Sequence, residues 1–147
     1  MIYTINSATI YNLANEEISR AAGIAYSEDG TSLYDSIVLH SNDADEVARL
    51  QGDAVNTIVK RTWDVVTILA SDSSGNPRLQ FNVPDMDSSL EAEVTAELTR
   101  FIVLNVCAAW FQARAKDRVE EFANRTQVAL DKVSHYLHTR KTPTRQS

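Results

Sequence analysis

The stretch that decides the fold is FIVLNVCAAWFQA, residues 101–113, which contains no charged residue. On a helix, Phe101, Leu104 and Phe111 fall on one face and Ile102 and Trp110 on another, so the spacing predicts a helix buried on all sides. The apolar stretch is expected to be too short and too interrupted to cross a bilayer, which takes about 20 apolar residues. These residues therefore predict the central helix of a core.

The helical spacing continues on both sides of this stretch, from Leu90 to Leu137. A single helix of that length would far exceed the usual three or four turns, so we predict a break near Lys116–Asp117. The large side chains predicted to form the structural core are Phe101, Leu104, Trp110, Phe111, Phe122 and Leu130.

The N-terminal part also has helical periodicity. A first helix is predicted from Ser7, as the N-cap, to Ala25, and a short second helix from Thr31 or Ser32 through Val38, with its end near residues 40–42. A third is predicted over residues 43–63, with Ser41 or Asp43 as its cap.

Residues 65–83 have strand and turn character instead. Val65–Leu69 is β-branched and apolar, Leu79–Val83 alternates, and Ser71–Pro77 between them is rich in turn-forming residues, which predicts one β-hairpin. Because a lone hairpin is marginal in water, we expect it to pack on the helices or to pair with a neighbouring subunit. The predicted fold is mainly α: one helical domain, residues 1–138, with long C-terminal helices and an inserted hairpin, followed by an extended basic tail, residues 139–147.

Charge is distributed unevenly along the 147 residues, whose net charge is −6. Residues 1–99 contain 5 Lys and Arg against 16 Asp and Glu, and residues 100–147 contain 9 against 4. The acidic part is unsuited to binding nucleic acid, which needs clustered cations. Such a dipolar chain is suited to stacking against copies of itself or another complementary partner.

The sequence offers no pattern typical of catalysis or of a metal or cofactor site, so we predict a protein that is not an enzyme. Cys107 lies within the apolar stretch and is expected to be a core residue. His135 and His138 share a helix face without the acidic or histidine partners of a metal motif. Asp72–Asn76 lacks the spacing of a calcium loop. The single cysteine and the absence of a signal-peptide pattern favour an intracellular protein.

A winged-helix DNA-binding regulator is one alternative, because helices precede a hairpin. The recognition helix would be residues 43–63, with Arg49, Lys60 and Arg61 facing DNA. The excess of acidic residues on the same helix argues against this function.

Three segments resemble a known family. They are IVLNVCAAWF (residues 102–111), VALDKVSHYL (residues 128–137) and the ending Arg140-Lys141-x-Pro143-x-Arg145. Together with the order of helices and hairpin, they resemble the head–tail connector, or adaptor, proteins of tailed bacteriophages, particularly those of phages and prophages of gut Bacteroides-like bacteria.

The resemblance implies a structural virion protein of the neck, assembled in the host cytoplasm as a ring, commonly of twelve copies. Its partners would be the portal and a tail or stopper protein, with DNA passing through unbound and no membrane involved. The segment implied to dock on the portal is the tail, with Arg140, Lys141, Pro143 and Arg145. Acidic residues that could face the channel are Asp43, Asp45, Glu46 and Asp53. A tail-completion or tail-terminator ring is the nearest alternative.

Overall fold

The computed structural model describes residues 1–22 and 38–140, which form a mainly α-helical bundle with a small antiparallel sheet, as predicted. The second helix predicted from Thr31 or Ser32 lies, up to residue 37, outside the described residues. The strands are β1 (Ile2–Thr4), β2 (Val66–Leu69) and β3 (Arg78–Phe81), and the helices are α1 (Ser7–Ala22), α2 (Ala44–Arg61), α3 (Glu91–Arg114) and α4 (Val119–Leu137).

The predicted break between the two C-terminal helices is present. The helix α3 ends at Arg114, Ala115 leaves the helical region (φ −151°, ψ 75°), and a 3₁₀ turn, Lys116–Arg118, leads into α4. Across the turn, the rings of Phe111 and Phe122 stack with their centroids 5.1 Å apart. The two helices therefore fold back on each other as an antiparallel pair, which is the most extensive helix contact in the described structure.

The helix α3 is the centre of the bundle, packed against α1, α2 and α4. Ala113, at the end of the stretch that was predicted to be buried on all sides, is exposed. By length and composition alone, the segment Ser88–Arg114, which extends well beyond residues 101–113, is the one described segment that could cross a membrane. Its buried apolar side chains are the ones that the bundle core requires: Val94, Leu98, Phe101, Ile102, Val103, Leu104, Val106, Cys107, Trp110 and Phe111.

The sheet has three strands rather than the two predicted, in the order β1-β3-β2. The hairpin strands β2 and β3 begin and end within one to two residues of the predicted positions, and β1 and β2 both pair antiparallel to β3. The hairpin thus pairs with the N-terminal strand of its own chain: Tyr3 lies opposite Leu79, and the backbone N–H of Ile5 donates to the carbonyl oxygen of Pro77 at 2.8 Å.

The connecting turn of the hairpin is held by one carboxylate. Asp72 Oδ1 accepts hydrogen bonds from the backbone N–H groups of Ser74 and Asn76, both at 2.9 Å. These bonds, that from Asn76 foremost, lower the pKa of Asp72. Gly75 has φ of 79°, in the left-handed region that glycine tolerates best. The segment is thus an ordinary hairpin turn.

The start of α1 differs from the prediction by one residue. Asn6, not Ser7, is the cap: its side-chain oxygen accepts from the backbone N–H of Thr9 at 3.0 Å. The helix α2 is preceded by a 3₁₀ turn, Ser41–Asp43, in which the Asp43 carboxylate accepts from the backbone N–H of His40 at 2.7 Å.

Candidate interaction surfaces

The C-terminal segment begins as part of the folded body. Arg140 pairs with Met86 in an isolated antiparallel bridge, and the backbone N–H of Asp87 donates to the carbonyl oxygen of Thr139 at 3.2 Å. The body therefore extends to Arg140 rather than ending at His138. Lys141, Pro143 and Arg145, the other predicted tail residues, lie outside the described residues. Arg140, the last described residue, lies beside the N-terminal end of α3.

His138, directly after α4, contacts the turn that follows α2. Its ring Nδ1 lies 2.7 Å from the carbonyl oxygen of Ser134, and its Nε2 lies 3.5 Å from Oδ2 of Asp64. The hydrogen bond to Ser134 raises the pKa of His138, and the Asp64 carboxylate adds to this effect. The protonated ring therefore links the last turn of α4 to the turn that follows α2.

We expect His138 to make stability depend on pH. Because the pKa of His138 is higher in the folded protein than in the unfolded chain, its contribution is complete below about pH 6.5 and is lost as the pH rises through the folded value. The contribution is small, since half of the side chain is exposed.

The measurement compares wild type with His138→Gln. The difference between their urea midpoints should be larger at about pH 5.5 than at about pH 8.5. A difference that stays constant across this range would show that the ring does not titrate against Ser134 and Asp64. Both proteins retain His40 and His135, so the comparison isolates the effect of His138.

The four acidic residues proposed to face a channel lie on or just before α2, and three of them already contact groups of their own chain. Asp43 accepts from the backbone of His40, Asp53 lies 3.6 Å from Arg49, and Glu46 pairs with Arg114. Asp45 is exposed, and no ion pair to it is found within the described residues. Of the four, Asp45 is therefore best placed to face another molecule or a channel.

Glu46 belongs to a contact that joins α2 to α3. Arg114 Nη2 lies 3.0 Å from Oε2 of Glu46, and the Arg114 guanidinium carbon lies 3.4 Å from the centre of the Trp110 ring. The cation thus covers the indole on one side and neutralises the carboxylate on the other.

All six predicted core side chains are buried: Phe101, Leu104, Trp110, Phe111, Phe122 and Leu130.

Cys107 is buried against α1, with its Sγ 3.9 Å from the carbonyl oxygen of Ala14. Burial, as the larger effect, and the nearby Glu17 carboxylate raise the pKa of the Cys107 thiol to about 12. A thiol held protonated in this way is a poor nucleophile. Within the described residues, no group of three or more His, Cys, Asp or Glu side chains is placed to hold a metal ion.

The cations of the predicted recognition helix are mostly engaged within the chain. Arg61 Nη2 lies 3.0 Å from Oδ1 of Asp131 on α4, and Arg49 lies near Asp53. This leaves Lys60 as the cation of α2 for which the described residues supply no ion-pair partner. Such a surface is poorly suited to binding phosphates, which requires several available cations.

An apolar edge on the sheet was missed by sequence reasoning. The side chain of Trp63 is 77% exposed in the turn before β2, and Ile68 within β2 is 67% exposed. Ile68 lies on the same face as Tyr3 and Leu79, which are buried, so β2 extends beyond the core that covers β1 and β3. The signal in the sequence was Trp63 directly after the end of an amphipathic helix.

Comparisons with protein-family models, with curated proteins and with solved structures find no match to this chain.

Proposed function

We propose that this protein is a structural subunit of a tailed-bacteriophage neck, a ring-forming head–tail connector that joins the portal to the tail or its stopper. The observation that carries the proposal is the exposed apolar edge formed by Trp63 and Ile68 on an otherwise well-packed body. Aromatic residues are enriched at surfaces that bind other proteins, which makes this edge a candidate contact. The resemblance of residues 102–111, 128–137 and 140–145 to connector proteins supplies the class of partner.

The end of the chain supports a second contact. The basic ending starts at Arg140, which is anchored to Met86, so residues 141–147 are attached to a fixed point on the body. Arg140, Lys141 and Arg145 have the charge to bind an acidic groove, and Pro143 favours an extended backbone. In the proposed neck, the body closes the ring and this segment docks on the portal.

In this function the protein performs no chemical step. The subunits hold a channel open between larger components, and DNA passes without being bound. The low number of available cations on α2 and the exposed carboxylate of Asp45 favour such a passage, because they offer phosphates little attraction.

Deletion of residues 141–147 tests the proposal. We expect the truncated protein to keep its helical circular dichroism and its unfolding midpoint, because the bridge between Met86 and Arg140 is retained. Attachment to the portal, measured by co-purification of the two proteins and by their presence in assembled particles, should be lost.

A full-length control separates charge from length. Replacing Lys141 and Arg145 by Ser should weaken attachment and reduce its salt dependence without changing the fold. Unchanged attachment of the truncated protein would refute docking by this segment. Presence of the subunit on isolated tails, together with its absence from isolated filled heads, would instead identify a tail-completion or tail-terminator ring.

A further inference from the structure

A shallow groove lies between α3 and α4. Its volume is about 230 Å³, and its lining comes from these two helices alone. Leu104 and Ala129, both buried, form the floor of this α3–α4 groove. Val128 also lines it and is 54% exposed, as one of four large hydrophobic residues that are exposed in the described part of the chain. The groove therefore presents apolar surface that the bundle leaves uncovered.

Three cations surround this apolar surface. Arg100 on α3 and Arg125 and Lys132 on α4 line the groove, and all three side chains are exposed. Arg125 and Lys132 are seven positions apart, which places them on one face of α4, about two turns from each other. No ion-pair partner of Lys132 is found among residues 1–22 and 38–140. The groove thus combines an apolar floor with a cationic rim.

The two arginines are held only loosely by carboxylates of their own chain. Arg100 Nε lies 3.9 Å from Oε2 of Glu97, and Arg125 Nη1 lies 3.7 Å from Oε2 of Glu17. The guanidinium carbon of Arg125 also lies 5.4 Å from the centre of the Phe122 ring. Both ion pairs are longer than a hydrogen bond, and exposed pairs contribute about 1 kcal/mol at most. An incoming carboxylate can therefore pair with either arginine at little cost to the fold.

The lining of the groove carries a net positive charge. It contains three cations and one carboxylate, that of Glu97, which gives a formal balance of +2. Glu97 Oε2 is buried and accepts no hydrogen bond from the described residues, so this oxygen is covered from solvent. Glu16 and Glu17 line the neighbouring pocket towards α1 and not this groove. The attraction for an anion is therefore strongest on the α4 side, at Lys132.

We propose that the α3–α4 groove binds an acidic segment of another protein, in which carboxylate side chains flank an apolar residue. The carboxylates pair with the three cations of the rim, and the apolar side chain covers Val128 and Leu104. The apolar floor favours such a segment over nucleic acid, because nucleic acid gains its affinity from phosphates that pair with cations. The inference goes beyond the proposed neck function, and it holds whether or not the chain forms a ring.

Titration of a synthetic peptide with the full-length protein tests the site. The probe is a fluorescein-labelled peptide of twelve residues in which Asp, Leu and Glu repeat, and its binding is read by fluorescence anisotropy. We expect binding that weakens as salt is added. The same peptide with Asn and Gln in place of the acids should not bind, and a peptide with Ser in place of Leu should bind more weakly. Absence of binding at millimolar protein concentration would overturn the inference.

Variants of the groove locate the binding. Lys132→Glu should raise the dissociation constant of the peptide by about fivefold or more, because it replaces an attraction by a repulsion. Lys60→Glu is the matched control: it makes the same charge change at an exposed position of α2, outside the groove, and should change the constant by less than about twofold. Equal losses in the two variants would overturn the inference, since net charge alone would then explain the binding.

The apolar part of the site has its own variant. Val128→Ser should weaken binding of the peptide that contains Leu and leave binding of the peptide that contains Ser unchanged. Both Val128 and Lys132 are exposed, so circular dichroism and the unfolding midpoint should stay close to those of wild type. Equal binding of the Leu peptide to Val128→Ser and to wild type would overturn the apolar contact.

Two further measurements identify other occupants. Short duplex DNA that displaces the peptide, and whose own binding is lost in Lys132→Glu, would show a phosphate-binding surface and overturn the inference. Self-association that Lys132→Glu abolishes, as read by analytical ultracentrifugation, would place an acidic surface of a second copy in the groove and overturn the assignment to another protein. Peptide binding that DNA does not displace and that Lys132→Glu weakens would support the site.

Discussion

Trp110→Ala should lower the free energy of unfolding by about 3–5 kcal/mol. The indole is 1% exposed, and the Arg114 guanidinium group stacks on its ring. Removing the ring leaves a cavity at the contact between α2 and α3 and takes away the surface that positions Arg114 against Glu46. Both losses act in the same direction. Urea unfolding followed by circular dichroism measures the change.

The second tryptophan supplies the control. Trp63→Ala removes the same type of side chain at a position that is 77% exposed. We therefore expect its free energy of unfolding to stay within about 0.5 kcal/mol of wild type. Measurement in dilute solution keeps the proposed ring assembly out of the comparison. Equal losses in the two variants would contradict the assignment of Trp110 to the core and of Trp63 to the surface.

Ile5→Ala should cost about 2–5 kcal/mol, although Ile5 lies only a few residues from the start of the chain. The side chain is fully buried, and the backbone N–H of Ile5 donates to Pro77. The variant loses apolar contacts and leaves a cavity where β1 enters the core. Thermal unfolding should show a midpoint lower by several degrees, since about 1 kcal/mol corresponds to about 2–4 °C for a chain of this size.

Ile2→Ala is the matched substitution in the same segment. Ile2 lies on the outer face of β1 with its side chain 55% exposed, so the expected loss is well below that of Ile5→Ala. An unchanged thermal midpoint in Ile5→Ala would mean that β1 does not contribute to the stability of the body. The comparison therefore tests the one strand that the sequence did not predict.

The long helices could be predicted because their information is local. Apolar residues recur every three or four positions from Leu90 to Leu137, and the helical break falls at Ala115, next to the predicted Lys116. The strand β1 could not be found in this way. It has three residues, and it becomes a strand by pairing with β3, more than seventy residues later.

The same difference between local and long-range information applies to the candidate surfaces. The burial of Cys107 follows from its apolar neighbours in the sequence, whereas the partner of Glu46 is Arg114, 68 positions away. A carboxylate at the start of a helix reads as solvent-exposed until the tertiary contact is known. The exposure of Ile68 could not be predicted either. An apolar strand residue is expected to face a core, whereas β2 extends beyond the core that covers β1 and β3.

The bridge between Met86 and Arg140 determines how a pulling force would enter the molecule. Tension applied at residue 141 meets the bridge and the bond between Asp87 and Thr139 before it reaches the last turn of α4. The load is thereby divided between the two long helices, which are also joined at their far end by the stacked rings of Phe111 and Phe122. A pull on the C-terminal segment would therefore act on both helices and not on the end of α4 alone.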